Sequence, residues 1–153
     1  MGENIRIQNV MDQLNKWLIK LPQEFNLMSE AEVSERPQPH KWSRKEILGH
    51  LCDSAINNLE RFIKIQYEEQ PYVLQKYNQE KWVDLQDYQN TSIEEIVLLW
   101  SSLNKRIVKV IATIPNDKLS YLCDLGNHQL MTFEWLIQDY LEHMEHHIQK
   151  QIL

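Results

Sequence analysis

The chain has 153 residues, 42% of them apolar and 25% charged, which bounds it to about one domain able to bury a real core. Its net charge of -6, with no basic patch to offset it, argues against a binder of nucleic-acid phosphates. No apolar run approaches the roughly 18 residues needed to span a bilayer, Met1 to Arg6 lack a basic-then-apolar leader pattern, and Cys52 and Cys123 stand far apart without a CxxC pair, so free thiols in a cytoplasmic setting are expected.

Glycine (3) and proline (5) are scarce, and the apolar residues recur at helical spacing, so the expected class is all-α. From about Ile5 to Leu21, Ile7, Val10, Met11, Leu14, Leu18 and Leu21 mark one face with Trp17 beside it, and Pro22 is expected to close the helix. Residues 22–41 read as a polar connector, because Pro37-x-Pro39 and the nearby acids disfavour a helix. A second helix is predicted over 43–66. Ser43 and Glu46 have the spacing of a capping box, and Trp42 and Ile47 that of a hydrophobic staple. Leu48, Leu51, Ala55, Leu59, Phe62 and Ile63 supply its core face.

Residues 68–91 form a long connection holding Pro71, Tyr72, Tyr77, Trp82 and Tyr88. A functional lid or a covering segment is a common reason for such a length. It also has room to carry the chain back along a bundle, so the helices it joins need not be antiparallel. A third helix is predicted over 92–114, opened by a second capping-box spacing at Ser92 and Glu95 and stopped by Pro115. Asp124-Leu125-Gly126-Asn127-His128 is a turn signal with room for a small hairpin. Thr132 then caps a fourth helix, predicted over 132–150, with Phe133, Leu136, Tyr140, Met144, His147 and Ile148 on one face. Four amphipathic segments with long connections read as a four-helix bundle within one domain spanning 1–153.

Three of the six histidines fall between 143 and 147. At about 100° per residue, His147 sits just inside the edge of the apolar face, His143 about 40° from it on the same flank, and His146 points toward solvent. A pair spaced His-x-x-x-His on a helix can give two imidazoles to one metal ion, though the same spacing arises readily on a helix surface with no ligand. His50 shares a stripe with Ser54, Asn57 and Arg61. That stripe reads either as a solvated face or as the lining of a cavity inside the bundle, and periodicity does not choose between them. Arg61 and Lys150, near this polar edge, would attract an anionic substrate.

The run Trp42-Ser43-x-x-Glu46-Ile47-Leu48-Gly49-His50-Leu51-x-Asp53-Ser54, joined much later by His143-x-x-x-His147, resembles the DinB/YfiT-like superfamily, and the likeness spans about residues 5 to 152. The resemblance implies a four-helix bundle of up-down-down-up topology. It also implies a divalent metal, zinc or nickel, on His50, His143 and His147. Two chemistries follow from it: transfer of a low-molecular-weight thiol, such as bacillithiol, to an electrophile, and hydrolysis of a small substrate. Three protein ligands leave a fourth position open for a thiol or water whose pKa the metal lowers. Homodimers are expected from the same resemblance, with the first and third helices as an interface.

The rival class is a non-catalytic binding or dimerising module with a structural metal or none, in which His128 or Cys123 would close the coordination sphere. Among the remaining polar residues, Asp53 is expected to be a solvated acid rather than a neighbour of the site, and Glu142 and Glu145 to solvate the last helix. Cys52 points away from His50, and Tyr77 and Trp82 either cap a pocket or pack for stability. With no Glu-x-x-His, no Gly-rich phosphate loop and no G-x-S-x-G in the chain, di-iron, nucleotide and serine-hydrolase chemistries lack their signatures.

Overall fold

The first helix opens at Asn4, whose side chain accepts from the Ile7 N–H, in a computed structural model that describes residues 4–153. Helix α1 (Ile5–Asn26) buries Ile7, Val10, Leu14, Trp17, Leu21 and Phe25. Pro22 does not end it. The missing N–H and the ring clash cost a helix interior about 3 kcal/mol, and burying Leu21 and Phe25 on the last turns offsets that cost. The connector that follows is also more ordered than its composition implies. A short helix, α2 (Glu30–Ser34), is opened by a capping box between Ser29 and Glu32 and seats Val33 in the core. Between α1 and the next long helix the chain is free of helix at residues 27–29 and from Glu35 to Ser43, around Pro37 and Pro39.

Helix α3 (Arg44–Lys64) begins with the expected box: Ser43 Oγ accepts from the Glu46 N–H, and the Glu46 carboxylate accepts from the Ser43 N–H at 3.1 Å. Arg36 reaches the same carboxylate with Nε at 2.8 Å and Nη2 at 3.0 Å. The long connection after α3 is built rather than open. It holds β1 (Tyr72–Val73), helix α4 (Gln79–Gln86) and a single 3-10 turn at Tyr88–Asn90. Helix α5 (Ile93–Ala112) has a single cap in place of a box, with Ser92 Oγ accepting from the Glu95 N–H at 3.2 Å.

The predicted hairpin forms from β2 (Leu122–Asp124) and β3 (Leu130–Thr132), turning through Gly126, Asn127 and His128 at positive φ. Strand β1 adds to β2 in parallel, giving a small sheet ordered β1-β2-β3. Thr132 then caps helix α6 (Phe133–His147), which runs on into a π-helical turn at Ile148–Ile152.

Helices α1, α3, α5 and α6 form the four-helix bundle. Helix α5 packs on α1 and α3, and α6 on the same two from the other side. Asn4 meets Glu134 and Trp17 meets Glu145, so α1 and α6 run in the same direction. Cys52 meets Ile96 near the start of both α3 and α5, and Phe62 meets Phe133 across α3 and α6. The order is up-down-down-up, with the 68–91 segment returning the chain. Helix α6 therefore runs opposite to α3, and the start of α3 meets the end of α6. Among the described residues no helix is long and apolar enough to cross a membrane.

Candidate metal centre

Antiparallel packing of α3 and α6 decides which histidines meet. His50 stands near the start of α3, and His143 and His147 one turn apart near the end of α6. The His50 ring lies 6.4 Å from that of His143 and 4.8 Å from that of His147, and the latter two are 5.1 Å apart, centroid to centroid. One ligand atom from each of the three lies within 4.8 Å of the others. Bonds of about 2.0–2.1 Å to a single ion would draw the rings together from that spread. His146 is exposed and outside this group.

His50 is not on a solvated face. It is 1% exposed, the Trp42 ring covers it at 5.0 Å, and neither ring nitrogen has a hydrogen-bond partner. A buried polar atom left without a partner costs about 1–3 kcal/mol, and a metal ligated by one of these nitrogens would remove part of that cost. Burial first, then the nearby His147 and His143, pull the His50 pKa down to about 4. The ring is therefore neutral at pH 7, the form that ligates metals. Burial also lowers the His147 pKa, against an opposing bond to Gln151. His147 Nδ1 lies 2.7 Å from Gln151 Oε1. With that oxygen accepting, Nδ1 carries the proton and Nε2 is left to ligate.

Asp53, one turn beyond His50, is fully buried and not the solvated acid that its helical position predicts. Its Oδ1 accepts from Tyr88 OH and from Gln86 Nε2, both at 2.7 Å, while Oδ2 has no partner. Burial raises its pKa more than these two bonds lower it. Glu145 likewise departs from the solvated reading, since its Oε2 accepts from Trp17 Nε1 at 2.8 Å. Asn57 leaves the polar stripe to donate to the Asp53 carbonyl. Cys52 and Cys123 are buried with their thiols against the Ile96 and Met131 carbonyls. Neither they nor His128 join the histidine group.

Two cavities touch the site or its immediate neighbours. One, of about 450 Å³ between α3 and α6, is lined by Ser54, Asn58, Arg61, Tyr77, Asp139 and His143 among others. The other, of about 440 Å³, includes Trp42, Arg44, Lys150 and Gln151 in its walls. The first reaches the centre at His143. The second touches none of the three histidines and is bordered by two of their neighbours, Trp42 beside His50 and Gln151 beside His147. The stripe of Ser54 and Arg61 is thus cavity lining, and Arg61 and Lys150 stand in different cavities. Neither Gln151 nor the role of Tyr88 stands out from the sequence. The i, i+4 spacing of His147 and Gln151 was a usable signal for the first, whereas Tyr88 reaches Asp53 only through the tertiary fold.

A family model described as the DinB superfamily matches residues 18–150. YfiT of Bacillus subtilis, named a candidate metal-dependent hydrolase, is 23% identical over 90% of this chain and 81% of its own. A relative of the same description from Halalkalibacterium halodurans is 24% identical over 79% of this chain and 70% of its own. The solved structure of Bacillus subtilis YfiT, whose four-helix bundle topology is described as unusual, superposes with a TM-score of 0.84 at 21% identity, over 97% of this chain and 85% of that one.

Proposed function

The chain belongs to the DinB superfamily, and from that premise we propose that it is a metal-dependent enzyme that activates a nucleophile at His50, His143 and His147 and directs it at a small electrophile. The carrying observation is that three imidazoles gather within 4.8 Å while His50, buried, has no partner for either nitrogen. Three nitrogen donors suit zinc or nickel. Such an ion would supply Lewis acidity, lowering the pKa of a thiol or water at neutral pH.

The chain's own residues supply the rest. Burial keeps His50 neutral, Gln151 fixes the tautomer and orientation of His147, and Trp42 excludes water from the His50 ring. Among the described residues the group contains no fourth His, Cys, Asp or Glu, which supports an open, reactive site over a closed structural one.

A cavity that reaches His143, with a second one bordered by Trp42 and Gln151, leaves room for two substrates and supports the transfer of a low-molecular-weight thiol to an electrophile as the first reading. In that reaction a sulfur–carbon bond forms, the leaving group departs with the bonding electron pair, and the thiol proton passes to solvent. Hydrolysis is the second reading, favoured by the description of the relatives as candidate metal-dependent hydrolases.

The test loads the purified protein with zinc or nickel and assays two panels. One pairs bacillithiol or cysteine with 1-chloro-2,4-dinitrobenzene; the other uses activated esters without thiol. Metal-dependent turnover in the thiol panel supports transfer, turnover in the ester panel alone supports hydrolysis, and turnover in neither overturns the enzymatic reading.

A further inference from the structure

We propose that the cavity between α3 and α6 is an elongated substrate subsite that binds a carboxylate at the end remote from the histidines, on Arg61 and Lys76. The near end rests on the metal-site reading above; the far end stands on its own residues.

On α3, Ser54, Asn58 and Arg61 follow His50 at offsets of four, eight and eleven, within about 80° of one stripe. Ser54 and Asn58 are buried, at 7% and 8% exposure, yet they line a cavity instead of packing into the apolar core. Helix α6 faces them in the reverse order, with His143 at the near end, then Asp139, and Trp135 farthest along. The cavity therefore runs away from the histidines, and Arg61 stands roughly 16 Å along the α3 axis from His50 at 1.5 Å per residue. A volume of about 450 Å³ is that of a small-molecule site.

The far end is cationic and held in place. Arg61 Nη2 donates to the Gln75 carbonyl at 2.7 Å, and its guanidinium lies 6.0 Å from the Tyr77 ring centroid. That anchors one edge of a planar fork with five N–H donors. Lys76 lies alongside Gly126, on the turn of the hairpin. Both cations line the cavity, and among the described residues neither forms an ion pair with a carboxylate. Asp139, also in the wall, lies toward the histidine end, one turn from His143. Two cations without a carboxylate partner match an anion, and the guanidinium fork matches the two oxygens of a carboxylate. Ser54 and Asn58 lie between the ends, where polar groups in the middle of an extended molecule would sit.

Isothermal titration of the metal-free full chain with octanoate and with octanol tests the far end alone. Octanoate is expected to bind at least tenfold tighter. Arg61→Gln and Lys76→Gln should each weaken octanoate about tenfold without changing octanol, while Arg61→Lys keeps part of the preference. Lys76→Gln guards against disturbing the segment that Arg61 anchors, and Arg106→Gln, on the surface of α5, is the control for general charge. Equal binding of octanoate and octanol, or equal losses in the Arg61, Lys76 and Arg106 variants, overturns the subsite. Repeating the titration on zinc-loaded protein with ω-mercapto acids of 3, 6, 8 and 11 carbons reads the near end, with a length optimum expected among the longer members. A missing optimum with the octanoate preference intact overturns the metal reading and leaves the subsite standing.

Discussion

The Tyr88 ring lies against the Cα of Gly49: a Cβ placed there would stand 2.2 Å from Tyr88 Cδ2 and 2.3 Å from Cγ. The ring has little room to yield, because it is buried and its hydroxyl donates to Asp53, one turn along the same helix. Gly49→Ala adds about 1 kcal/mol of helix propensity, but forcing a packed core apart costs about 1–3 kcal/mol. The expected outcome is a net loss of stability of up to about 2 kcal/mol in urea denaturation, with weaker zinc binding because His50 is the next residue. A variant as stable as the parent would show that the Tyr88 loop gives way freely.

Gln151 acts on the centre through His147. Removing the acceptor from a ligating histidine typically costs 10–100-fold in metal affinity, so Gln151→Ala is expected to weaken zinc by about that factor. Gln151 is exposed, so the melting temperature of the metal-free protein should barely move. Gln151→Glu keeps an acceptor and should retain tight binding. A competition titration against a chelator reads all three proteins, and equal affinities would mean that the Nδ1 contact does not hold the ring in solution.

Asp53 carries a pH signature. Its folded pKa lies above the ordinary carboxylate value of 3.8, because burial outweighs the bonds from Tyr88 and Gln86. The folded state therefore holds this proton more tightly than the unfolded chain does. The stability it contributes is fully present below the unfolded pKa and is lost as pH rises through the folded pKa. Asp53→Asn keeps an oxygen to accept from Tyr88 and Gln86 but cannot ionise. The variant should gain stability relative to the parent as pH rises from about 3.5 to 7. Urea midpoints across that range provide the check, and a constant gap between the two proteins would contradict the assignment.

The bundle was legible because its helices announce themselves twice, by a period of three and four and by caps at Ser43, Ser92 and Thr132. Where local preference and burial disagree, burial prevailed, and α1 runs through Pro22 because Phe25 has a place in the core. The 68–91 segment hid its helix because α4 buries Val83 alone and so shows little amphipathic pattern. At the centre, the pairing of His143 with His147 is a local spacing and could be read directly. His50 could not be placed from periodicity alone, since polar residues lining a cavity and polar residues facing water leave the same trace in a sequence. Asp53 and Glu145 depart from the solvated position that periodicity predicts for one reason: their partners Tyr88, Gln86 and Trp17 lie far off in the chain.

His147→Ala and His146→Ala form the sharpest pair, being adjacent in sequence and identical in chemistry. The His147 ring is 4.8 Å from His50 and 5.1 Å from His143, while His146 is exposed and outside the group. His147→Ala should lose the metal and any metal-dependent turnover, and some stability besides, because the ring is half-buried; single substitutions of this kind cost about 0.5–3 kcal/mol. His146→Ala should keep both ion and turnover. If the metal served only structure, its removal would show as a lower melting temperature with no rate to lose. Metal content, melting temperature and thiol-transfer rate, measured side by side on both variants, separate these cases. Matching behaviour of the two would mean that the helix face on which His147 stands does not decide ligation, and the three-histidine centre would have to be abandoned.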